Sequence, residues 1–245
     1  MKYEKIVKGT FLSRPNRFIA EVRLETSSET VGSVVRAHVK NTGRLGELLI
    51  PGTTVYLEDF RQRMGSRKLA YSLIGLEKKK KDGELLRVNI DSQAPNKVVA
   101  EALQNRKIQL PGMKGLSFLK GEKTWGDSRF DFYLEDEEGK QGYLEVKGVT
   151  LENDGIACFP DAPTERGVKH IHGLMKAKAS GYLSYIIFVV QMEGMKEFRP
   201  NDETHPDFGK ALRDAQMQGA TILAFFCHVE KDSLEIAGSL PVNLT

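Results

Sequence analysis

Residues 128–150 read SRFDFYLEDEEGKQGYLEVKGVT. Two β-prone runs, Arg129–Leu134 and Gly142–Val149, flank the acidic turn Glu135-Asp136-Glu137-Glu138-Gly139-Lys140. Apolar residues alternate with other types on both sides of the turn, the spacing of a hairpin. In the second run Glu145 and Lys147 stand two apart and share a face, while Leu144 and Val146 share the other. Folding about the centre of the turn brings Asp131 opposite or next to Glu145. Neighbouring carboxylates repel, and one takes up a proton unless a cation lies between them. A hard divalent ion, Mg²⁺ or Mn²⁺, suits such a pair, because Mg²⁺ is bound by one or two carboxylates together with water and substrate phosphate. Such an ion activates water and neutralises charge on a phosphoryl group under attack. Lys147 is placed to steer the water or to stabilise a developing oxyanion. Glu122, upstream of the first run, is a candidate third ligand or base. Asp131, Glu145 and Lys147 with Glu122 therefore form a candidate phosphodiester-cutting set, with Asp131 and Glu145 as the metal ligands.

The E-x-K spacing alone carries little, since Glu77-x-Lys79 and Glu138-x-Lys140 share it within charge runs that read as solvated turns. Only the Glu145 copy lies in an apolar strand with an aspartate on the preceding strand. The plain alternative is that Asp131 and Glu145 face solvent and Lys147 screens them.

The chain has 245 residues, 40% hydrophobic and 28% charged, a soluble globular composition with enough length for one large or two modest domains. Its net charge of +3 is unevenly spread. Residues 1–83 hold 17 Lys and Arg against 9 Asp and Glu, whereas residues 84–245 hold 19 against 24. A basic part joined to an acidic part points to one polyanion-binding half and one half with another task. Cys158 and Cys227 lie far apart outside any C-x-x-C pattern, which argues against zinc and excludes a disulfide framework. Free cysteines, an N-terminus without an apolar core segment, and apolar runs shorter than the roughly 18–20 residues of a membrane span predict a soluble cytoplasmic protein.

Up to about Leu76 the segments are short and β-like: Lys5–Leu12, Phe18–Leu24, Val34–Lys40, Thr53–Leu57 and Leu69–Leu76. The turns between them include Ser27–Gly32 and Asn41-Thr42-Gly43-Arg44. This spacing predicts a small five-stranded barrel. Aromatics and cations interleave through it, from Phe11, Arg14, Arg17 and Phe18 to Tyr56, Phe60, Arg61, Arg63, Arg67, Lys68 and Tyr71. Rings stack on bases while cations follow a phosphate backbone; the alternative is a filled core and a solvated face. The candidate nucleic-acid contacts are Arg14, Arg17, Arg44, Arg67 and Lys68, with Arg166 and Lys169 from a later helix. The charged turn Lys78–Gly83 marks the expected boundary, giving domains 1–84 and 85–245.

Pro95-Asn96 starts a helical pattern through Val98, Val99, Ala102 and Leu103. Pro163 and Thr164 start another through Val168, Ile171, Leu174 and Met175, with Arg166, Lys169, His170 and Lys176 off the apolar stripe. His170 and His172, two apart on a helix, point away from each other and make a poor metal pair. Tyr185–Val190 and Thr221–Val229 read as strands buried on both faces, and Asp207–Gln218 as a helix stopped by Gly219. The second half thus predicts helices around a mixed central sheet.

Several long segments in order also match a known family. They are Arg14-Pro15-Asn16-Arg17-Phe18, Asn41-Thr42-Gly43-Arg44, Arg67-Lys68-Leu69, Ser128-Arg129-Phe130-Asp131-Phe132, Glu145-Val146-Lys147 and, most specific, Phe159-Pro160-Asp161-Ala162-Pro163-Thr164-Glu165-Arg166-Gly167-Val168-Lys169-His170. Through them the sequence resembles the sugar fermentation stimulation protein A (SfsA) family over nearly the whole chain. The resemblance implies a two-domain α+β/α/β fold, with an N-terminal OB-fold-like β-barrel and a C-terminal PD-(D/E)XK nuclease-like α/β domain. It also implies DNA binding and a regulatory role in sugar, notably maltose, metabolism, and it carries the nuclease pattern onto Glu122, Asp131, Glu145 and Lys147. The sequence leaves open cleavage against binding alone, as in a non-catalytic, non-specific DNA-binding regulator. It also leaves open RNA as the polymer and a homodimer as the assembly. No obvious base-reading helix is present, so DNA recognition without strong sequence specificity is expected.

Overall fold

The computed structural model describes residues 1–25, 32–41, 43–81 and 83–245. Within the expected turns, residues 27–31, Thr42 and Asp82 lie outside the described residues.

The first half forms β1 (Ile6–Asn16), β2 (Ile19–Leu24), β3 (Val34–Val39), β4 (Thr54–Asp59), β5 (Tyr71–Lys79) and β6 (Leu85–Asn89). They run in the order β3-β2-β1-β4-β5-β6, and a parallel pairing of β3 with β5 closes β1 to β5 into an OB-type barrel. The barrel follows from strand alternation: Val7 and Phe11 on β1 and Ala20, Val22 and Leu24 on β2 all point into the core. Gly9 lies between them because a Cβ there would sit 2.5 Å from Val22 and 2.7 Å from the Arg23 carbonyl. Register shifts along β1 after Phe11 and Ser13 bend the strand, as barrel closure requires.

The compact unit around this barrel covers Met1–Ala94 together with Gln191–Glu193 and His228–Glu235. It extends past the expected boundary at residue 84 because β6 continues the sheet, pairing with β5 from Lys79↔Leu85 to Gly75↔Asn89. The later segments join through buried polar groups. Gln191 Nε2 donates to Asn89 Oδ1 at 2.8 Å and to the Asp91 carbonyl at 3.1 Å, and Tyr3 N donates to the Asp232 carbonyl at 2.7 Å. Gln191→Ala removes two buried hydrogen bonds, although Asn89 Oδ1 still accepts from the Asp91 N–H and the Asp91 carbonyl from the Ala94 N–H. It is expected to cost about 1–3 kcal/mol, read as a lower midpoint in denaturant at unchanged slope.

The second unit covers residues 95–190, 194–227 and 236–245. After α1 (Ala94–Gln104) come β7 (Phe118–Trp125), β8 (Ser128–Glu135), β9 (Gln141–Val149), β10 (Leu151–Asn153) and β11 (Ile156–Phe159). Then follow α2 (Glu165–Ala179), β12 (Leu183–Val190), β13 (Glu197–Pro200), α3 (Pro206–Met217), β14 (Thr221–Val229) and β15 (Leu234–Leu240). The main sheet has the order β15-β14-β12-β9-β8-β7. Its β7–β8–β9 part is antiparallel, while β9–β12 and β12–β14 are parallel, which makes it a mixed sheet. The β12 run Ser184–Val190 is buried throughout, as a strand with both faces covered must be. The turn between β8 and β9 is held by one of its acids: Asp136 accepts from the Glu138 and Lys140 N–H groups at 2.9 and 2.8 Å.

Thr164 caps α2, its Oγ1 accepting from the Gly167 N–H at 3.1 Å. The buried face of α2 is Gly167, His170, Ile171, Gly173, Leu174 and Ala177. The expected stripe of Val168, Ile171, Leu174 and Met175 is therefore corrected. Val168 and Met175 are half-buried, and small residues bring the helix close to the sheet. A Cβ on Gly173 would collide with Ser128 Oγ and lie 3.1 Å from the Phe130 ring. Gly173→Val is expected to lift the helix and cost about 1–3 kcal/mol or more, measured by thermal melting.

Candidate metal and phosphodiester site

The β8–β9 ladder runs from Glu135↔Gln141 to Phe132↔Leu144. One further step of that register places Asp131 across from Glu145, and there the backbone ladder stops. The Asp131 carboxylate takes over: Oδ2 accepts from the Val146 N–H at 2.8 Å, and Oδ1 accepts from Asn96 Nδ2 of α1 at 2.8 Å. Glu145, 2% exposed, lies on the central strand β9 between β8 and β12. Its Oε1 receives Lys147 Nζ and lies 2.5 Å from His170 Nδ1 of α2. Its Oε2 is buried without a hydrogen-bond partner.

Electrostatics separates the two acids. Burial raises the Asp131 carboxyl above the usual carboxylate range, and the charge of Glu145 raises it further, against the donors from Val146 and Asn96. Burial also pushes the Glu145 carboxyl up, but the bonds and charges of His170 and Lys147 outweigh it and leave the group lowered. The pair thus carries a charge conflict of the kind a divalent cation relieves. Asp131 and Glu145, with one bare buried oxygen between donors that fix the other three, fit a hard ion bound by two carboxylates and completed by water or phosphate. Among the described residues no group of three or more His, Cys, Asp or Glu side chains is arranged to hold a metal. The fit is to an open two-carboxylate site, not a closed protein cage.

Glu122 falls between the pairs Gly121↔Phe132 and Lys123↔Phe130, level with Asp131 in the β7–β8 register, and its side chain turns to Arg129. It lies on β7 with a φ of 56°, its side chain 72% exposed and paired with Arg129 at 2.5 Å. The sequence carries no strand signal for β7, since this edge strand is largely exposed on both faces. His170 was expected off the apolar stripe of its helix; the structure buries it to 9% exposure against Glu145. The signal lies in the spacing, since His170 stands three residues after Gly167 and four before Leu174, both on the buried face. Asn96 carries only a helix-start signal.

The candidate nucleic-acid residues divide by their partners. The Arg14 guanidinium donates to the carbonyls of Gly43, Arg44, Arg17 and Asn41 at 2.8 to 2.9 Å, so it holds the loop framework. Arg67 donates to Ser72 Oγ at 2.5 Å and lies 3.7 Å from the Phe60 ring centroid, with Arg63 over the same ring at 4.3 Å. Arg17 lies 4.8 Å over Phe18, whose ring is 43% exposed. Arg44 and Lys68 are exposed. In the second unit Arg166 and Lys169 are exposed on α2, Lys169 facing Asp127 at 3.9 Å and Arg166 Nε 3.4 Å from His170 Nε2.

A closed OB-type barrel, followed by a mixed-sheet α/β unit with an acid pair and a lysine on its central strands, defines a two-domain α+β/α/β protein. Residues 12–86 match the family described as SfsA N-terminal OB domain, and residues 93–233 match the Sugar fermentation stimulation protein RE domain. The chain belongs to the sugar fermentation stimulation protein family. It is 49% identical to a Sugar fermentation stimulation protein homolog of Desulfitobacterium hafniense, over all of this chain and 99% of that one. It is 47% identical to a homolog from Clostridium botulinum, over the full length of both. The solved structure of Pyrococcus furiosus SfsA in complex with Ca²⁺ is similar at a TM-score of 0.83 and 28% identity, covering 99% of this chain and 98% of that one. No helix among the described residues is long and apolar enough to cross a membrane.

Proposed function

We propose that this protein binds DNA through its barrel and cleaves phosphodiester bonds at Asp131, Glu145 and Lys147 with Mg²⁺ or Mn²⁺, in the cytoplasm. The observation that carries the reading is the buried, unpartnered Oε2 of Glu145 across from Asp131 and next to Lys147. Support for a hard divalent cation comes from the Pyrococcus furiosus relative, solved in complex with Ca²⁺. When bound, the ion supplies charge neutralisation at the phosphoryl group and a water of lowered pKa. Asp131 and Glu145 would hold it, each carboxylate already braced by hydrogen bonds. Lys147, 17% exposed, turns its ammonium from Glu145 to the developing phosphoryl charge.

The grip is assigned to the loops that OB barrels use for oligonucleotides, those after β1 and after β4. The first presents Phe18 under Arg17, and the second presents Phe60 under Arg63 and Arg67 with Lys68 alongside. Neither loop inserts a helix for base reading, so the contacts follow backbone and ring faces and tolerate many sequences. Affinity measured by fluorescence anisotropy is expected to fall steeply with salt. The combined Arg17→Ala and Lys68→Ala variant should flatten the log–log slope by about 0.9 per lost phosphate contact. A salt-independent affinity rules out the barrel grip. Incubation of supercoiled and single-stranded DNA with Mn²⁺ tests cutting: Lys147→Ala is expected to retain DNA binding and lose nicking. Binding without any nicking by the unaltered protein would instead make the chain a non-cutting DNA-binding regulator, the reading that fits a role in sugar metabolism.

A further inference from the structure

We infer that His170 is the positioning residue of the acid pair: it grips Glu145 by Oε1 so that Oε2 is presented to the divalent cation, and Arg166 fixes which imidazole nitrogen does the gripping. The inference rests on the metal-site reading above and assigns how that site is kept ready. His170 Nδ1 lies 2.5 Å from Glu145 Oε1, while Arg166 Nε lies 3.4 Å from His170 Nε2. A guanidinium has donors and no acceptor, so Nε2 is the acceptor and the proton sits on Nδ1, aimed at Glu145. Lys147 reaches the same Oε1, which leaves Oε2 bare.

The two donors are not equivalent. Lys147 is a flexible stem ending in a point charge, whereas the imidazole is planar and clamped. The Phe130 ring stands at 77° to it with centroids 6.5 Å apart. The helix that carries it is pinned to the sheet, with Gly173 against Ser128 and Ser184 Oγ donating to the Leu174 carbonyl at 2.9 Å. Asp131 is braced in the same manner by Asn96 from α1. Each carboxylate is thus oriented by a side chain from a helix. This is the outer-shell arrangement that aligns ligands and whose loss typically costs about 10–100-fold in metal affinity.

The test is Mn²⁺ binding, followed by the electron paramagnetic resonance signal of free ion, with no nucleic acid present. The unaltered protein is compared with His170→Ala, His170→Asn and His170→Gln. Asn places its amide nitrogen where Nδ1 stood, and Gln places its own nearer Nε2. Affinity is expected to fall about 10–100-fold in His170→Ala and His170→Gln and to recover in His170→Asn, with thermal melts in EDTA establishing that each variant folds. In ¹⁵N NMR the His170 ring is expected as the Nδ1–H tautomer, and Arg166→Ala should shift that population toward Nε2–H. If the unaltered protein binds Mn²⁺ and the Asn and Gln variants bind within about twofold of it and of each other, the positioning role is overturned while the metal site stands. If the unaltered protein binds no Mn²⁺, the metal-site reading falls and takes the inference with it. The Asn-against-Gln contrast decides the matter even where His170→Ala does not fold.

Discussion

Asp131→Asn is expected to abolish the stabilisation that millimolar Mn²⁺ or Mg²⁺ confers on the unaltered protein. A ligand present at about 100 times its Kd and bound only by the folded state adds about 2.7 kcal/mol. For a chain of this length that is a rise of roughly 5–11 °C in melting temperature. Asn keeps the shape of the side chain and removes its charge, so the remaining Glu145 meets the cation as a single carboxylate. Nicking, if present, should fall with it. The variant also turns an amide N–H₂ towards one of the two donors, Val146 N or Asn96 Nδ2, that the carboxylate accepted. Its melt in EDTA is therefore the proper baseline, and the difference between EDTA and Mn²⁺ is the quantity that decides. A variant that still gains several degrees with Mn²⁺ would place the cation elsewhere.

The second large effect is expected at Phe188 of β12. Its ring is fully buried, stacked on Phe198 at 3.9 Å and 21°, with Phe159 at 5.7 Å and Phe208 edge-on at 6.4 Å. Phe188→Ala removes the ring from the middle of that cluster. The loss of transfer energy plus the cavity left behind costs about 3–5 kcal/mol, a drop of roughly 6–20 °C in melting temperature. Phe188 is also in register with Lys147 across the parallel β9–β12 pair. A folded Phe188→Ala protein should therefore lose nicking beyond what its melting temperature accounts for, because the lysine's strand has lost support. A melt lowered by less than about 3 °C would mean that the three remaining rings close over the gap.

The hairpin register is legible in the residues themselves because it depends only on local geometry. Alternation along Phe130–Leu134 and Tyr143–Val146 and the length of the turn set which residues face one another, and Asp131 falls across from Glu145 as counted. The barrel strands β1 and β2 are legible for the same reason, since both alternate buried and more open positions. β7 is not, because Phe118–Trp125 is largely exposed and carries no burial pattern to read. β6 is hidden by the lysine run that precedes it, and it moves the barrel unit's edge past residue 84. Arg14 reads as a phosphate contact because a cation next to a turn looks alike whether it faces a polyanion or four backbone carbonyls.

Strand period, turn length and residue chemistry were enough to specify an acid pair and a lysine on neighbouring strands, since these are properties of a few consecutive residues. The state of that pair was decided by packing. His170 and Asn96 reach it across 25 and 35 positions of chain, and burial of Glu145 between β8 and β12 is what turns a surface charge cluster into one with a bare, desolvated oxygen. Such contacts depend on how a helix seats against a sheet, and that is set by many side chains at once, among them the absent one at Gly173.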